Sequence, residues 1–264
     1  MRSRLSILKL GGSVITEKDK PLTPNIHAIR RLAGEISRAE ARPLIIIHGG
    51  GSYGHPLAKK HGIAEGFKRA SQVFGFSETH QAMVSLNSLL VKSLLESGLP
   101  AFSISPSSFI ITRNGRIQHL NEEILGMMLE AGLVPVLYGD AVMDSERGFA
   151  ILSGDQIAAA LAIDLEAERI IMGIDVDGLY DSDPKVNPDA KLINRISLGD
   201  LPLALRSIGR SHVPDVTGGM MGKILELKAA VERGVEVIII NALVPGNVYR
   251  VLIGEDVVGT RIER

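Results

Sequence analysis

Residues 43–55 read PLIIIHGGGSYGH, in which a short apolar run passes directly into three consecutive glycines. The apolar residues follow one another without alternating polar ones, which is typical of strands covered on both faces. Longer segments with helical spacing, such as the one through Ile26, Ile29 and Ala33, separate this run from others like it. The runs occupy 5–10, 43–48, 101–104, 133–138, 169–174 and 236–240. The alternation predicts an α/β fold, an αβα sandwich with a mainly parallel central sheet.

The composition indicates a globular chain and excludes several functional classes. Of the 264 residues, 45% are apolar, which allows a buried core and excludes disordered and fibrous proteins. The net charge is −1 and no basic tract occurs, so neither a nucleic acid nor a membrane is expected as a partner. Cysteine is absent, which excludes disulfides, thiolate metal sites and thiol nucleophiles. Lys9 interrupts a first apolar run too short for a secretory core, so a cytoplasmic location is expected.

Local signals predict turns, a helix start and an organisation in two lobes. Asn-Gly at 114–115 predicts a hairpin at a sheet edge or in a lid. Thr-Pro at 23–24 predicts the cap and first turn of the first helix. The polar segment 181–190, with two prolines, reads as a surface loop. We expect an amino-terminal lobe over 1–140 and a carboxy-terminal lobe over 141–264, which share one continuous sheet.

The first glycine-rich turn is KLGGS at 9–13, where a strand runs into Gly11 and Gly12. Glycines without side chains let backbone N–H groups approach an oxyanion closely, and Lys9 would project from the strand into the cleft. The alternative is an ordinary tight turn with Lys9 as a charge on its rim. Lys18 follows a few residues further on, and the alternative to a role for it at the cleft is an ordinary solvated lysine in a loop.

The second glycine-rich turn, HGGGSYGH at 48–55, contains G-x-G-x-x-G at Gly49, Gly51 and Gly54. This pattern occurs in dinucleotide-binding folds, but no convincing acidic residue follows at the end of a second strand, which disfavours a nicotinamide dehydrogenase. Three consecutive glycines also suit a flat anion cradle. His55, just past the cradle, could donate a hydrogen bond to a phosphate oxygen; its alternative is a structural or surface histidine.

Two further glycine-bearing segments precede helices. In Ser153-Gly154-Asp155, the aspartate either caps the following helix or orients a lysine or a metal-bound phosphate. The segment TGGMMGK at 217–223 is not a Walker A loop, because Thr217 stands where that motif has its first glycine. Lys223 near the positive end of a helix dipole would be stabilised by a bound anion.

These segments, together with GIDVDGLYDSDP at 173–184, resemble the amino acid kinase superfamily in order and spacing over nearly the whole chain. Within this superfamily, the segment GGGSYGH, with its histidine after the glycine cradle, resembles the isopentenyl phosphate kinases. The resemblance implies transfer of the γ-phosphoryl group of ATP to isopentenyl monophosphate, an eight-stranded sheet and a homodimer. It also implies Mg²⁺, which we expect phosphates and water to hold, with no protein residues as metal ligands.

The resemblance also implies roles for particular residues. Lys9, Lys18, His55 and Lys223 are the expected catalytic residues. The expected substrate-binding residues are Gly50, Gly51, Gly54 and His55. The expected nucleotide-binding residues are Lys9, Gly11, Gly12, Ser13, Gly51, Asp155, Asp175, Gly178, Tyr180, Gly219 and Lys223.

The identity of the acceptor leaves alternatives open. Val73, Phe76 and Met83 are candidates for the pocket of a five-carbon tail, although apolar residues at helical spacing are more often ordinary core. A kinase of the same fold could act on fosfomycin or on a small phosphorylated or carboxylated metabolite. A nucleotide-binding protein without catalysis is a further alternative, which the presence of the lysines disfavours.

Overall fold

The computed structural model describes residues 5–182, 187–201 and 219–264. Its strands are β1 (Ser6–Leu10), β2 (Leu44–His48), β3 (Ala101–Ser103), β4 (Ile110–Arg113), β5 (Arg116–Leu120), β6 (Val134–Tyr138), β7 (Asp140–Asp144), β8 (Gly148–Leu152), β9 (Arg169–Ile174), β10 (Leu179–Tyr180), β11 (Leu192–Ile193), β12 (Arg195–Ser197), β13 (Glu236–Asn241) and β14 (Gly259–Glu263). The helices are α1 (Gly12–Ile15), α2 (Ile26–Ala39), α3 (Gly51–His61), α4 (Gln72–Glu96), α5 (Glu123–Glu130), α6 (Gly154–Asp164), α7 (Gly219–Glu232) and α8 (Asn247–Leu252).

An eight-stranded sheet forms the centre of the molecule, with the strand order β12-β14-β13-β9-β1-β2-β6-β3. The six strands from β13 to β3 are mutually parallel, whereas β14 is antiparallel to β13 and pairs in parallel with β12. The six apolar runs of the sequence are these six parallel strands. The prediction of a mainly parallel central sheet is therefore confirmed.

Helices cover both faces of this sheet. One apolar cluster places α6 and α7 against alternate residues of the central strands, and a second cluster places α2, α4 and α8 against the others. Each central strand therefore buries both of its faces, which explains its continuous apolar sequence. The αβα sandwich is confirmed.

A separate four-stranded sheet, with the order β5-β4-β7-β8, lies beside the sandwich. Its edge is the hairpin of β4 and β5, and the two turn residues, Asn114 and Gly115, have positive φ angles of 52° and 78°. A two-residue turn with both φ angles positive matches the twist of a hairpin. The hairpin prediction is confirmed, at the edge of this second sheet.

The predicted start of the first long helix is wrong. Asn25 caps α2, because its side chain accepts a hydrogen bond from the N–H of Ala28. Pro24 instead pairs with Thr16 in an isolated antiparallel bridge, so the Thr-Pro pair belongs to the loop that returns along α1. The short α1 also precedes this helix.

Some expectations fall on positions outside the described ranges. In the segment 181–190, residues 183–186 lie outside them, and so do residues 217 and 218 of TGGMMGK. Among the helices that the structure describes, none combines the length and the apolar character that crossing a membrane would require.

Four neighbouring parallel strands end at the same edge of the central sheet. β1 leads into Gly11, β2 into Gly49, β6 into Gly139 and β9 into Asp175. The carboxyl edge of an open parallel sheet is where such folds bind ligands. The strand order therefore brings distant segments of the sequence to one place.

Candidate active site

A cavity of about 540 Å³ opens at this carboxyl edge, a size suited to small ligands. It is lined by all four strand ends, by the first turns of α1, α3 and α6, and by residues of α4 and α7. The lining includes Lys9, Gly11, Gly12, Ser13, Lys18, Gly50, Gly51, Gly54, His55, Asp155, Asp175 and Lys223, all predicted from the sequence.

The two glycine turns touch each other backbone to backbone. A side chain on Gly12 would lie 2.2 Å from the nitrogen of Gly51, and Gly51 itself has a positive φ of 47°. Within the described ranges, the N–H groups of Gly12, Gly50 and Gly51 donate no hydrogen bond to another part of the protein. Glycine at these positions therefore leaves backbone donors at the wall of the cavity, as an anion site requires.

Two lysines converge on one buried carboxylate. The Nζ of Lys9, on β1, lies 2.8 Å from Oδ1 of Asp155, and the side chains are only 4% and 9% exposed. The Nζ of Lys223, on α7, lies 3.7 Å from Oδ2 of the same residue. Ser153 caps α6, since its hydroxyl accepts from the N–H of Gln156. The capping role considered for Asp155 is therefore wrong, and its carboxylate orients the two lysines.

Burial and charge act in opposite directions in this cluster. Burial lowers the pKa of Lys9, the charge of Asp155 raises it, and the charge of Lys223 lowers it again. Burial raises the pKa of Asp155, but Lys9 and Lys223 outweigh burial and hold it below its ordinary value. The carboxylate is therefore ionised at neutral pH and holds two ammonium groups at the floor of the cavity.

A second ion pair closes the amino-terminal loop over the cavity. Lys18 lies 2.5 Å from Oδ2 of Asp175, and the hydroxyl of Ser13 donates to Oδ1 over 3.0 Å. Burial raises the pKa of Asp175, and its bonds with Lys18 and Ser13 bring it below the ordinary value. The Lys18 side chain is 53% exposed, so it can leave this pair for a ligand at small cost.

His55 lies on the exposed side of α3, one residue beyond Gly54, and lines the cavity. Gly54 packs against α4, because a side chain there would lie 2.8 Å from the sulfur of Met83. His55 and the glycines of the cradle, Gly50, Gly51 and Gly54, therefore line the same cavity.

Two of the predicted nucleotide residues, Gly178 and Tyr180, lie apart from the cavity lining. Gly178 packs against the backbone and hydroxyl of Thr260, where a side chain would come within 2.5 Å of the hydroxyl oxygen. The hydroxyl of Tyr180, on β10, donates to Asp177 over 3.3 Å. Gly219 begins α7, and its neighbour Met220 lines the cavity.

Part of the cavity lining is apolar and is called the apolar wall below. Met83, one of the candidates from the sequence, contributes to it together with Ala58 and Ile151, which the sequence did not single out. Val73 is 54% exposed and lies in the first turn of α4, about 15 Å along the helix axis from Met83, outside the cavity lining. Its assignment to a pocket is therefore wrong.

Phe76 is outside the cavity lining as well. It stacks on Phe149 with ring centroids 5.0 Å apart, and both belong to a small apolar cluster beneath α3. Of the three candidates for the tail pocket, Met83 therefore lines the cavity, and Val73 and Phe76 do not.

Asp140 is a further site residue that the sequence reasoning missed. It follows Gly139 at the end of β6, lines the cavity and is 2% exposed. It accepts hydrogen bonds from the N–H of Ala141 and from Nδ1 of His80, which is 2.9 Å away. The hydrogen bond to Asp140 raises the pKa of His80. The signal available in the sequence was the strand-glycine pattern LYGD at 137–140.

The arrangement of acidic groups bears on metal binding. Across the ranges that the structure describes, no three histidine, cysteine, aspartate or glutamate residues cluster closely enough to hold a metal ion. Asp155 and Asp175, the carboxylates nearest the lysines, are both engaged in ion pairs.

Comparison with known proteins identifies the family. The chain matches the profile of the amino acid kinase family over residues 4–241. An isopentenyl phosphate kinase of Methanothermobacter thermautotrophicus is 46% identical over 97% of this chain and 98% of its own length. A solved isopentenyl phosphate kinase structure aligns with a TM-score of 0.86 at 42% identity, over 98% of this chain and 99% of its own. The product complex of T. acidophilum isopentenyl phosphate kinase aligns with a TM-score of 0.76 at 31% identity, over 98% and 100%. The chain thus belongs to the amino acid kinase family and, within it, to the isopentenyl phosphate kinases.

Proposed function

We propose that the chain transfers the γ-phosphoryl group of ATP to isopentenyl monophosphate and so forms isopentenyl diphosphate and ADP. The observation that carries this function is the pair of lysines around the buried Asp155, beside two glycine turns that line the same cavity. The N–H groups of Gly12, Gly50 and Gly51 in these turns donate to no group in the described part of the chain. Such a cavity offers cations and backbone donors to two phosphate groups placed end to end.

Electrostatic repulsion between the two ligands is the main obstacle to this reaction. Two unit negative charges about 4 Å apart repel by about 4 kcal/mol at an effective dielectric of 20. Lys9 and Lys223 have fixed positions at the centre of the cavity, and Lys18 reaches it from the loop. Their charges counter the repulsion and stabilise the negative charge on the equatorial oxygens of the transferring group.

The chemistry requires no general base. A phosphate monoester has a second pKa of about 6, so the acceptor is already an anion at neutral pH. One of its oxygens forms the new bond to the γ-phosphorus while the bond from that phosphorus to the β,γ-bridging oxygen breaks. The electron pair leaves with ADP. The protein's contribution is position and charge, which agrees with a site rich in lysine.

The proposed roles divide between the two parts of the chain. We assign the acceptor phosphate to the turn of residues 50–55, with His55 as a side-chain donor, and so to the lobe over 1–140. We assign the nucleotide to the lobe over 141–264, with Gly178 and Tyr180 flanking it beyond the cavity and with Gly219, the first residue of α7, as a further contact. Lys9, Lys18 and Lys223 contact the phosphoryl group in transfer, and Gly11, Gly12 and Ser13 the nucleotide phosphates.

Magnesium belongs to the proposed reaction as the partner of the ATP phosphates. It would neutralise part of their charge, and phosphate oxygens and water would be its main ligands. Asp175 and Ser13, which line the cavity, are the residues of this chain that would bond water in its shell. We also propose that the protein is a homodimer and is located in the cytoplasm. Light scattering of the purified protein measures its oligomeric state.

The apolar wall of Ala58, Met83 and Ile151 supports an acceptor with a short hydrocarbon tail. A polar acceptor such as an amino acid would leave its own donors and acceptors unsatisfied against this wall. Fosfomycin is the alternative acceptor, since it also combines a phosphorus-centred anion with a small apolar body.

A panel of acceptors tests the proposal directly. Steady-state ADP formation is measured with isopentenyl monophosphate, dimethylallyl monophosphate and fosfomycin, each with ATP and Mg²⁺. We expect the highest kcat/KM with isopentenyl monophosphate. Equal or faster turnover of fosfomycin would show that isopentenyl monophosphate is not the preferred acceptor. If none of the three acceptors led to ADP formation, a nucleotide-binding protein without catalysis would be favoured.

A further inference from the structure

His48 is a buried residue that the reaction itself does not use. It is the last residue of β2, is 0% exposed, and stacks on Tyr138 with ring centroids 5.5 Å apart. Its Nδ1 lies 3.0 Å from the carbonyl oxygen of Gly49, and its Nε2 lies 3.2 Å from the amide nitrogen of Asn87. Since a carbonyl oxygen can only accept, Nδ1 carries the proton and Nε2 accepts from Asn87.

The orientation of the Asn87 amide is fixed in turn by its other contact. Its Oδ1 accepts a hydrogen bond of 2.6 Å from the hydroxyl of Ser103, on β3, so its nitrogen faces His48. Ser103, Asn87, His48 and the Gly49 carbonyl therefore form one chain of hydrogen bonds across β3, α4 and β2. Each group in this chain has a single compatible role, which defines the tautomer of the ring.

The backbone before Gly50 is held at each of its polar groups. The carbonyl of His48 accepts from the N–H of Gly139 over 3.0 Å, and the N–H of Gly49 donates to Leu10 over 2.9 Å. The ring of His48 holds the next group, the Gly49 carbonyl. In a trans peptide the C=O and N–H bonds point in opposite directions, so the N–H of Gly50 points away from the buried ring. Gly50 lines the cavity, and its N–H donates to no group in the described part of the chain.

We propose that His48, supported by Asn87, is a positioning residue that aims the N–H of Gly50 at the phosphate of the acceptor. This inference rests on the proposed function, which assigns the acceptor phosphate to the turn of residues 50–55. Without the bond to His48, the peptide between Gly49 and Gly50 could rotate, because glycine restricts its flanking torsions least. The N–H of Gly50 would then remain close to the acceptor phosphate but would no longer point at it.

The charge state of His48 agrees with this role. Burial lowers its pKa to about 4, and the nearby charge of Lys9 contributes in the same direction. The ring is therefore neutral at physiological pH and has one donor and one acceptor, as Gly49 and Asn87 require. A neutral ring also adds no positive charge beside the buried ammonium of Lys9.

Three variants separate the bond to Gly49 from general packing. In His48→Asn the amide nitrogen replaces Nδ1 and can still donate to Gly49, although the shorter side chain leaves a void. In His48→Gln the side-chain oxygen can take the place of Nε2 and accept from Asn87, with no donor left at the position of Nδ1. His48→Phe keeps a ring without either bond. Thermal unfolding of each variant measures the packing cost, and steady-state kinetics with isopentenyl monophosphate and ATP measure positioning.

We expect His48→Gln and His48→Phe to raise the KM of the acceptor by about 10- to 100-fold, the equivalent of one hydrogen bond to a charged group. We expect the KM of ATP to change by less than about 3-fold, and His48→Asn to stay within about 3-fold of the wild type for both substrates. An increase in the acceptor KM of His48→Asn as large as that of His48→Phe would overturn the role. So would increases in KM that parallel the decreases in Tm across all three variants.

A binding experiment keeps this test separate from the proposed function. If the wild type does not phosphorylate isopentenyl monophosphate, the proposed function fails, and the role of His48 is read from the amide resonance of Gly50 during titration with inorganic phosphate. A downfield shift in the wild type and His48→Asn, reduced in His48→Phe, supports the role. Equal shifts in all three proteins, or none in the wild type, contradict it.

Discussion

The substitution Asp155→Asn removes the charge that holds the two lysines of the site. At an effective dielectric of about 20, its carboxylate attracts Lys9, 2.8 Å away, by about 6 kcal/mol and Lys223, 3.7 Å away, by about 4.5 kcal/mol. The net loss is smaller, because desolvation already opposes the pair. Removing one partner of a buried ion pair costs about 3–5 kcal/mol, since the other charge stays buried.

We therefore expect the Tm of Asp155→Asn to fall by about 10 °C at pH 7, at the 2–4 °C per kcal/mol of a chain of this size. We also expect kcat to fall by about 100-fold, the cost of misplacing one group that stabilises the transition state. Without the carboxylate, burial and Lys223 lower the pKa of Lys9 further, so its charge is less available to the phosphoryl group. Thermal unfolding and coupled ADP release measure the two effects.

Asp164→Asn is the matched control for this variant. Asp164 ends the same helix, is exposed, and undergoes the same chemical change. We expect its Tm to stay within about 2 °C of the wild type and its kinetics to be unaltered. An Asp155→Asn protein that matched this control in Tm and kcat would refute the role given to the buried carboxylate.

Three further predictions concern single side chains. Lys18→Met should lower kcat by at least about 10-fold yet cost less than about 1 kcal/mol of stability, because the ion pair of Lys18 is half-exposed. The control is Lys20→Met, since Lys20 is an exposed neighbour, and equal kinetics of the two variants would contradict the role of Lys18. Asp144→Asn should cost about 2–4 kcal/mol, because Oδ2 loses its bonds from Thr112 and Gly115. Burial raises the pKa of Asp144, but these and other hydrogen bonds hold that pKa far below its usual range. The carboxylate therefore contributes fully to the free energy of unfolding above about pH 4, and this contribution disappears as the pH falls. If the stability of Asp144→Asn decreased with acid as much as that of the wild type, the assignment would be disproved. His55→Ala should lower kcat/KM for the acceptor by about 10- to 100-fold and leave the KM of ATP nearly unchanged, and an unaltered kcat/KM would remove His55 from the acceptor site.

The central sheet could be predicted because burial on both faces leaves a continuous apolar signal. β14 gave no such signal: GTRIE alternates buried and partly exposed residues, and Arg261 forms ion pairs with Glu236 and Asp256. The pairing of β12 with β14 depends on a contact between segments that are distant in sequence. Neither strand has the pattern of a strand covered on both faces.

The glycine turns could be predicted because their chemistry is local to each turn. The cluster of Lys9, Asp155 and Lys223 joins three segments that only the strand order and helix packing bring together, so the sequence left the role of Asp155 open. Val73 was misassigned because helical spacing does not show which turns of α4 lie beside the cavity. Asp140 was missed because an aspartate after a glycine resembles an ordinary turn residue.

The geometry of the two bound ligands tests the central claim most directly. A crystal structure with isopentenyl monophosphate and a non-hydrolysable ATP analogue gives the distance from the nearest acceptor oxygen to the γ-phosphorus. We predict about 3–3.5 Å, with both ligands in the cavity and with Lys9 and Lys223 in contact with phosphate oxygens. Phosphates in separate pockets, or lysines that contact neither ligand, would contradict the account.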